Sequence, residues 1–286
     1  MKILLTAGPT HEPIDAVRYI GNRSSGRMGA AIAQAAMDAG DVVTLIAGPV
    51  SILIPEVSRR TNVLTAAMMH TLVLEEFPNH DLLIMAAAVA DFRPTHVSDG
   101  KLSRADGLII ECEPTEDILS DASKLKSPNQ RTVGFSLETL PRAVAELVGR
   151  PIGRVLTKMG KITREQVIEA LDIQKKLGGL AGKILVELGY VTQDDVELAL
   201  AAQRGHESTG YLGDPTSLPV GTDRARKKLI AKQLDMIVFN PAGTMDSGDV
   251  AATLLWPDGR AERLPMQSKP RFAATLIARC HSLFAD

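Results

Sequence analysis

At 286 residues the chain is too long for one small module and short for three, so one large or two modest domains are expected. Its 45% apolar and 23% charged residues exclude a disordered, collagen-like or coiled-coil chain. With 32 Lys and Arg against 34 Asp and Glu, the formal charge of −2 gives no reason to expect nucleic acid or an anionic membrane, so a phosphate site must come from a few local groups.

The chain opens on Lys2–Ala7, an apolar run expected to be a buried strand. A signal peptide is not expected, because the run is short and leads straight into Pro9-Thr10-His11-Glu12-Pro13. A small-residue helix is predicted over Gly26–Ala39, strands over Val42–Ala47 and Asn62–Ala66, and a helix over Ala67–Glu76. Asp81–Ala88 is a continuous apolar run, the mark of a strand covered on both faces, and Arg131–Phe135 is a further strand. This rhythm predicts an α/β fold, a Rossmann-like, mostly parallel, doubly wound sheet. Aromatic residues are only 3%, so its core must be aliphatic and rich in Ala and Gly. No segment reaches the roughly 18–20 apolar residues that span a bilayer. Cys112 and Cys280 lie far apart without metal-site spacing, which suits a reducing, cytoplasmic setting.

From about Leu140 to Gly213 strand signals vanish and an internal repeat appears. Ile152–Thr163 is echoed by Ala181–Thr192, and Val167, Ala170, Leu171 and Gln174 by Val196, Ala199, Leu200 and Gln203, always 29 residues later. Thr163 with Gln166 and Thr192 with Asp195 are capping-box pairs, and Gly160 and Gly189 sit where helices end. Two helix–turn–helix units are predicted, forming an all-α module at 140–213 inserted into an α/β domain of residues 1–139 and 214–286. Pro141, Gly210, Gly213 and Pro215 near its junctions suit a surface graft. The α/β texture then resumes: a helix over Arg226–Leu234, a strand over Met236–Phe239, a hairpin of Val250–Trp256 and Ala261–Leu264 across Pro257-Asp258-Gly259, and a helix over Lys269–Phe284.

Two crevices could hold chemistry. The loop from Gly8 to Ser25 ends at a helix start, where Ser24 or Ser25 could cap the helix and Gly26 and Gly29 allow backbone to come close. Free N–H groups there suit a phosphate or carboxylate of a substrate; as a cap alone, the same residues would simply pack on a strand. A dinucleotide site is disfavoured, because the first glycine of its fingerprint is missing and no acid follows the second strand. The second crevice follows Met85-Ala86-Ala87-Ala88, whose small side chains leave room for a flat ligand, with Asp91 at the edge. Next comes Ser98-Asp99-Gly100-Lys101-Leu102-Ser103-Arg104, a polar loop that as a lid could set Lys101 over a phosphate. Lys228 and Lys232 share one helical face, where an i, i+4 pair is usually solvated surface.

In this order, GPTHEPIDAVRYIGNRSSGRMG, AAAVADFRP, GKL, EPTEDIL, VGFSLET and ARKKLIAKQLDMIVFN resemble the motifs of phosphopantothenoylcysteine synthetases. The resemblance covers Met1 to about Thr139 and about Arg224 to Asp286. It implies a Mg²⁺-dependent ligase of coenzyme A synthesis, joining 4′-phosphopantothenate to L-cysteine through an acyl-cytidylate, with CTP as co-substrate in the bacterial type and ATP in eukaryotic relatives. By the same resemblance Lys101 would neutralise phosphates and Asn22 would hold the acyl-nucleotide, the two catalytic candidates. Met85, Ala86, Ala87, Asp91, Phe135, Lys228 and Lys232 would bind the nucleotide, with Glu116, Asp117, Ile118 and Leu119 lining the same pocket. Arg18 is a further candidate for a substrate anion, and no metal ligands are assigned. A homodimer is expected, and the flavin-dependent decarboxylase often fused to this family would be a separate polypeptide. Two departures stand out: the family lid commonly reads KIKK where this chain has Lys101-Leu102-Ser103-Arg104, and its ISN is Ile20-Gly21-Asn22.

The helical repeat, Pro151–Gln174 and Leu180–Gln203, resembles the paired motif at the amino terminus of type II secretion and type IV pilus ATPases, some of which bind cyclic di-GMP. The Arg-Leu-Gly that heads each unit there is Pro151-Ile152-Gly153 and Leu180-Ala181-Gly182 here, so the guanine- and phosphate-binding arginines are missing. A ligand-free packing module is the expectation. The alternative is a regulatory protein in which the module senses a nucleotide and the synthetase part is weakened.

Overall fold

The computed structural model describes residues 1–104, 107–138, 150–193, 195–196, 199–200, 222–241 and 248–285. Thr139, Pro141, Gln203, Gly210, Gly213 and Pro215, and with them the expected module boundaries, lie outside these. The chain divides into two compact units, one of residues 1–136, 225–240 and 244–286 and one of 137–224 and 241–243.

The first unit is built on eight strands: β1 (Lys2–Ala7), β4 (Val42–Ala47), β5 (Arg59–Asn62), β6 (Leu82–Met85), β9 (Arg131–Glu138), β10 (Met236–Pro241), β11 (Asp249–Leu255) and β12 (Ala261–Ser268). Two short hairpins, β2–β3 (His11–Pro13, Tyr19–Gly21) and β7–β8 (Phe92–Pro94, Cys112–Pro114), stand outside the sheet. The sheet order is β12-β11-β10-β9-β6-β1-β4-β5. Strands β5, β4, β1, β6 and β9 run parallel, while β11 is antiparallel to β10 and β12. The result is a mostly parallel Rossmann-like sheet accompanied by an all-α region. Apart from Lys2, every residue of β1 is buried. Alternate side chains explain this. Ile3, Leu5 and Ala7 join one core with Ile32, Ala33 and Ala36 of α1 (Arg27–Asp38) and Phe272, Ala273 and Leu276 of the last helix, Lys269–Ser282. Leu4 and Thr6 are buried on the other side, where α2 (Ala66–Glu76) packs on β4 and on α3 (Ile118–Leu125).

Several expected elements change their bounds, the strands from Arg131 and Ala261 running on to Glu138 and Ser268 and the last helix ending at Ser282; three other changes have a clear local reason. The third strand is Arg59–Asn62 rather than Asn62–Ala66, because Thr65 is the N-cap of α2 and accepts the Met68 N–H. Strand β6 stops at Met85 rather than Ala88: the amides of Ala87, Ala88 and Ala90 turn to Thr6 Oγ1, Gly8 O and Thr10 Oγ1. The helix expected over Arg226–Leu234 spans Thr222–Ala231, and Gln233, at φ 52, turns the chain so that Leu234 N–H bonds Leu229 O.

The second unit, taken by itself, follows the 29-residue repeat. Helices α4 (Ile152–Lys158) and α6 (Ala181–Glu187) are equivalent, and α5 (Arg164–Leu177) lies between them in sequence. Its core pairs repeat positions: Val155 with Ile184, Leu156 with Leu185, Ile162 with Val191 and Ala170 with Ala199. A Cβ on Gly153 would come 2.6 Å from Val167, and one on the equivalent Gly182 would come 2.8 Å from Val196, so both glycines permit close helix contact. Gly160 and Gly189 have φ of 70° and 71° just past the helix ends, the left-handed turn expected there. The Thr163–Gln166 capping box is present, and Thr192 and Asp195 bond each other reciprocally. Among the described residues no helix is long and apolar enough to cross a membrane.

Candidate active site

From β1 the chain goes to β4 and β5 on one side, then returns to β6 and β9 on the other. The strand order therefore reverses between β1 and β6. In an open parallel sheet a crevice forms at such a point, outside the carboxyl ends of the strands, because the two connections leave in opposite directions. Here it is pinned by a Pro9–Ala88 bridge and by Ala88 N–H on Gly8 O at 2.8 Å.

Several of the predicted residues lie along this edge. Met85 is buried at the end of β6, Ala86 and Ala87 are half-buried, and Asp91 is exposed. Asn22, just past β3, reaches across to donate to Val89 O at 2.8 Å. Met85 lies in register with Gly134 of β9, which puts the half-buried Phe135 next to it in sequence beside the same strand end. Gly134 has no room for a side chain: a Cβ would meet Leu119 Cδ2 at 2.6 Å, so the start of α3 presses on β9. Asp117 is the N-cap of α3, accepting Ser120 N–H, and Thr115 N–H bonds Asp91 O, which joins that loop to the end of the Ala run.

The two helical lysines have partners. Lys228 donates to Ser136 Oγ at 3.2 Å, and Lys232, one residue past the last helical one, holds Asp117 at 2.8 Å. Ile118 and Leu119 are buried under this edge. Arg93 binds Glu113 and Glu116 at 2.8 and 2.9 Å; the backbone N–H of Glu116 and the Arg93 guanidinium hold the Glu116 carboxyl below its ordinary value.

The start of α1 differs from expectation. Neither Ser24 nor Ser25 caps it; Gly26 is the N-cap in a left-handed conformation, with no side-chain cap, and Ser24 Oγ instead accepts the Gly26 N–H at 3.4 Å. The reason is steric: a Cβ on Gly26 would stand 2.6 Å from Val50, so the chain must turn through a glycine there. Lys101 and Arg18 line an open groove of about 720 Å³ with Leu102 and Arg104. Arg18 is already engaged, with Asp15 and with Leu102 O at 2.9 Å. Asp15, Arg93 and the threonines at 6, 10 and 115 were not among the sequence candidates. For Asp15 the signal was its position just before Arg18, where a carboxylate can accept the next backbone N–H groups.

Residues 1–147 and 172–283 match the family model DFP, the DNA/pantothenate metabolism flavoprotein C-terminal domain. The chain belongs to this family. Among curated relatives of the DFP domain, a cysteine/cysteine sulfinic acid decarboxylase from an unknown prokaryotic organism is 49% identical over 142 residues, 48% of this chain and 39% of that protein. The coenzyme A biosynthesis bifunctional protein CoaBC of Vibrio vulnificus is 46% identical over 140 residues, 48% of this chain and 35% of that protein. The chain thus spans under two-fifths of the length of these two relatives. A crystal structure of the C-terminal domain of a CoaBC protein aligns at 26% identity and a TM-score of 0.62, over 100% of this chain and 96% of that one.

Proposed function

We propose that this DFP-family chain is a phosphopantothenate–cysteine ligase using CTP. The observation that carries the reading is the convergence, at one sheet edge, of an Ala-rich strand end, Asn22 on Val89 O, and two lysines held at Ser136 and Asp117. Support comes also from the likeness to the C-terminal domain of a bifunctional coenzyme A biosynthesis protein, which favours this activity over the decarboxylase named for another relative.

A carboxylate is a poor electrophile. In the proposed reaction the phosphopantothenate carboxylate attacks the nucleotide α-phosphorus and pyrophosphate leaves. The cysteine amine then attacks the acyl carbon, loses a proton and releases CMP. The first step gathers anions, so cations set where charge develops matter most. Lys101 on its exposed loop supplies one, and Lys228 and Lys232 bind the triphosphate, Lys232 exchanging Asp117 for phosphate oxygens. Asn22 donates through an amide, which suits holding the acyl-nucleotide without adding charge. Backbone of Met85–Ala87 and the face of Phe135 would take the base, Glu116–Leu119 its far side, and Gly26 with Ser24 and Ser25 a substrate oxygen at the start of α1.

Among the described residues no group of three or more His, Cys, Asp or Glu could form a metal cage. Mg²⁺ carried on a triphosphate commonly needs only one or two carboxylates besides phosphate oxygens, and the exposed Asp91 and Asp117 are carboxylates at this edge. The metal would spread the charge of the leaving pyrophosphate. We assign the helical unit to packing, since its repeat glycines serve helix contacts and its units lack the heading arginines; cytoplasmic action as a homodimer completes the proposal.

The test is pyrophosphate release with Mg²⁺ and CTP before cysteine is added. Release should require 4′-phosphopantothenate, and Lys101→Ala should lower it by about 10²–10³. No release from folded protein with either CTP or ATP would overturn the ligase reading.

A further inference from the structure

Asp15 is a carboxylate without solvent, its side chain 0% exposed. Its Oδ1 accepts the N–H groups of Val17 and Arg18, both at 2.8 Å, which closes its own loop. Its Oδ2 accepts Arg18 Nε at 2.9 Å, Arg18 Nη2, and, from 87 residues away, the N–H of Leu102 at 3.0 Å. Arg18 Nη2 in turn donates to Leu102 O at 2.9 Å. Both backbone groups of Leu102 are therefore held by one ion pair. Three residues before Lys101 a second tie appears: Ser98 N–H bonds Ile14 O at 3.1 Å, and Ser98 Oγ bonds Gly100 O at 2.9 Å. Lys101 itself is exposed, between Ser98 and Leu102, both of which are fastened to the segment 14–18.

A loop rich in polar residues with a glycine next to its lysine would otherwise sample many backbone states, and fixing each residue costs conformational entropy. Charge-assisted hydrogen bonds to a buried carboxylate are among the stronger ones available to restrain it. A buried charge needs such partners in return, or it would be expelled or protonated. Asp15 has them: the Arg18 hydrogen bonds above all, and then backbone N–H groups, hold its carboxyl well below the ordinary range despite burial.

We propose that Asp15 is the positioning residue of the lid: with Arg18 it clamps Leu102, so that Lys101 is presented to the transferring phosphate in a set direction. The inference rests on the ligase reading for what Lys101 does, and on the hydrogen bonds alone for the clamp. Arg18 then works through its Nε and Nη2 on Asp15 and the lid.

The experiment uses the full chain and two readouts. Peptide-level hydrogen exchange over residues 98–104 should accelerate about tenfold or more in Asp15→Asn, with exchange in the β1 peptide unchanged. In pyrophosphate release, Asp15→Asn should lower kcat by about 10- to 100-fold with KM for CTP within about twofold. The double variant D15N/K101A should be no slower than K101A within about threefold, because a clamp has nothing left to position. Unchanged exchange at 98–104, or effects of the two substitutions that multiply, overturns the proposal. Should D15N loosen β1 as well, Leu102→Pro takes away the N–H donor while also fixing φ at 102 and restricting Lys101, so it is compared with Leu102→Ala, which keeps the N–H, and both are judged by the same non-additivity with K101A. If the unmodified protein releases no pyrophosphate, the ligase reading has failed, and hydrogen exchange still decides the clamp.

Discussion

Gly29 lies inside α1, where a glycine costs about 1 kcal/mol relative to alanine by helix propensity alone. Propensity therefore predicts that Gly29→Ala stabilises. The packing predicts the reverse. An added Cβ would stand 2.4 Å from Ala7 Cβ and 3.1 Å from Ala7 Cα, against an optimum of about 3.5–4.0 Å for carbon contacts. Ala7 has no rotamer to move, so helix and strand must part by roughly 1 Å, a gap that forfeits a quarter to a half of the dispersion between the facing atoms. Overpacking of this kind costs about 1–3 kcal/mol, and the rigid neighbour places this site near the upper end. Subtracting the propensity gain leaves a net loss of about 1–2 kcal/mol. The only tryptophan, Trp256, is 8% exposed in the same α/β unit, so its fluorescence follows that unit through urea unfolding. With a slope of about 2–3 kcal/mol/M, the midpoint should fall by about 0.3–1 M. The double variant A7G/G29A should lose less than the sum of the two single changes, because removing the Ala7 methyl restores the space. A higher midpoint for G29A, or strict additivity in the double variant, would refute the steric argument.

Two further predictions concern thiols and pH. A maleimide should label one cysteine of the native protein: Cys112 is exposed, while Cys280 is buried and its thiol is pushed up by desolvation and, secondarily, by Asp41. Equal labelling of both before unfolding would contradict this. In the helical unit, Lys161 at 2.9 Å, followed by the Thr192 N–H, lowers Asp195 to about 2. Because the folded value lies below the unfolded one, the stabilisation is complete above about pH 4–5 and is lost as pH falls toward 2. Discounted for the side chain's residual exposure, it amounts to about 1–2 kcal/mol. Asp195→Asn should therefore speed hydrogen exchange in the peptide 152–188 at pH 7, after correction for intrinsic rates, and make little difference near pH 2; a pH-independent difference would count against the ion pair.

Much of the architecture was legible along the chain because its causes are local. Strand β1 and the repeat with its caps and turn glycines follow from side-chain periodicity and from backbone angles that only certain residues accept. The glycines of the 29-residue repeat were visible as helix ends at 160 and 189. Those at 153 and 182 acquire their meaning only when Val167 and Val196 pack on them. The candidate site divides the same way. Motif order brought Asn22, Asp91, Lys101, Lys228 and Lys232 forward, yet what each one touches was set by folding. The Ala run ends β6 early because Thr6, Gly8 and Thr10 capture its amides from about 80 residues away. Lys232 finds Asp117, and Asp15 finds Leu102, across separations of 115 and 87 residues. Hydrophobic pattern and turn chemistry act over a few residues, so they determine which elements form. Hydrogen bonds and ion pairs between distant segments depend on where the sheet brings those elements, and only the tertiary structure decides them.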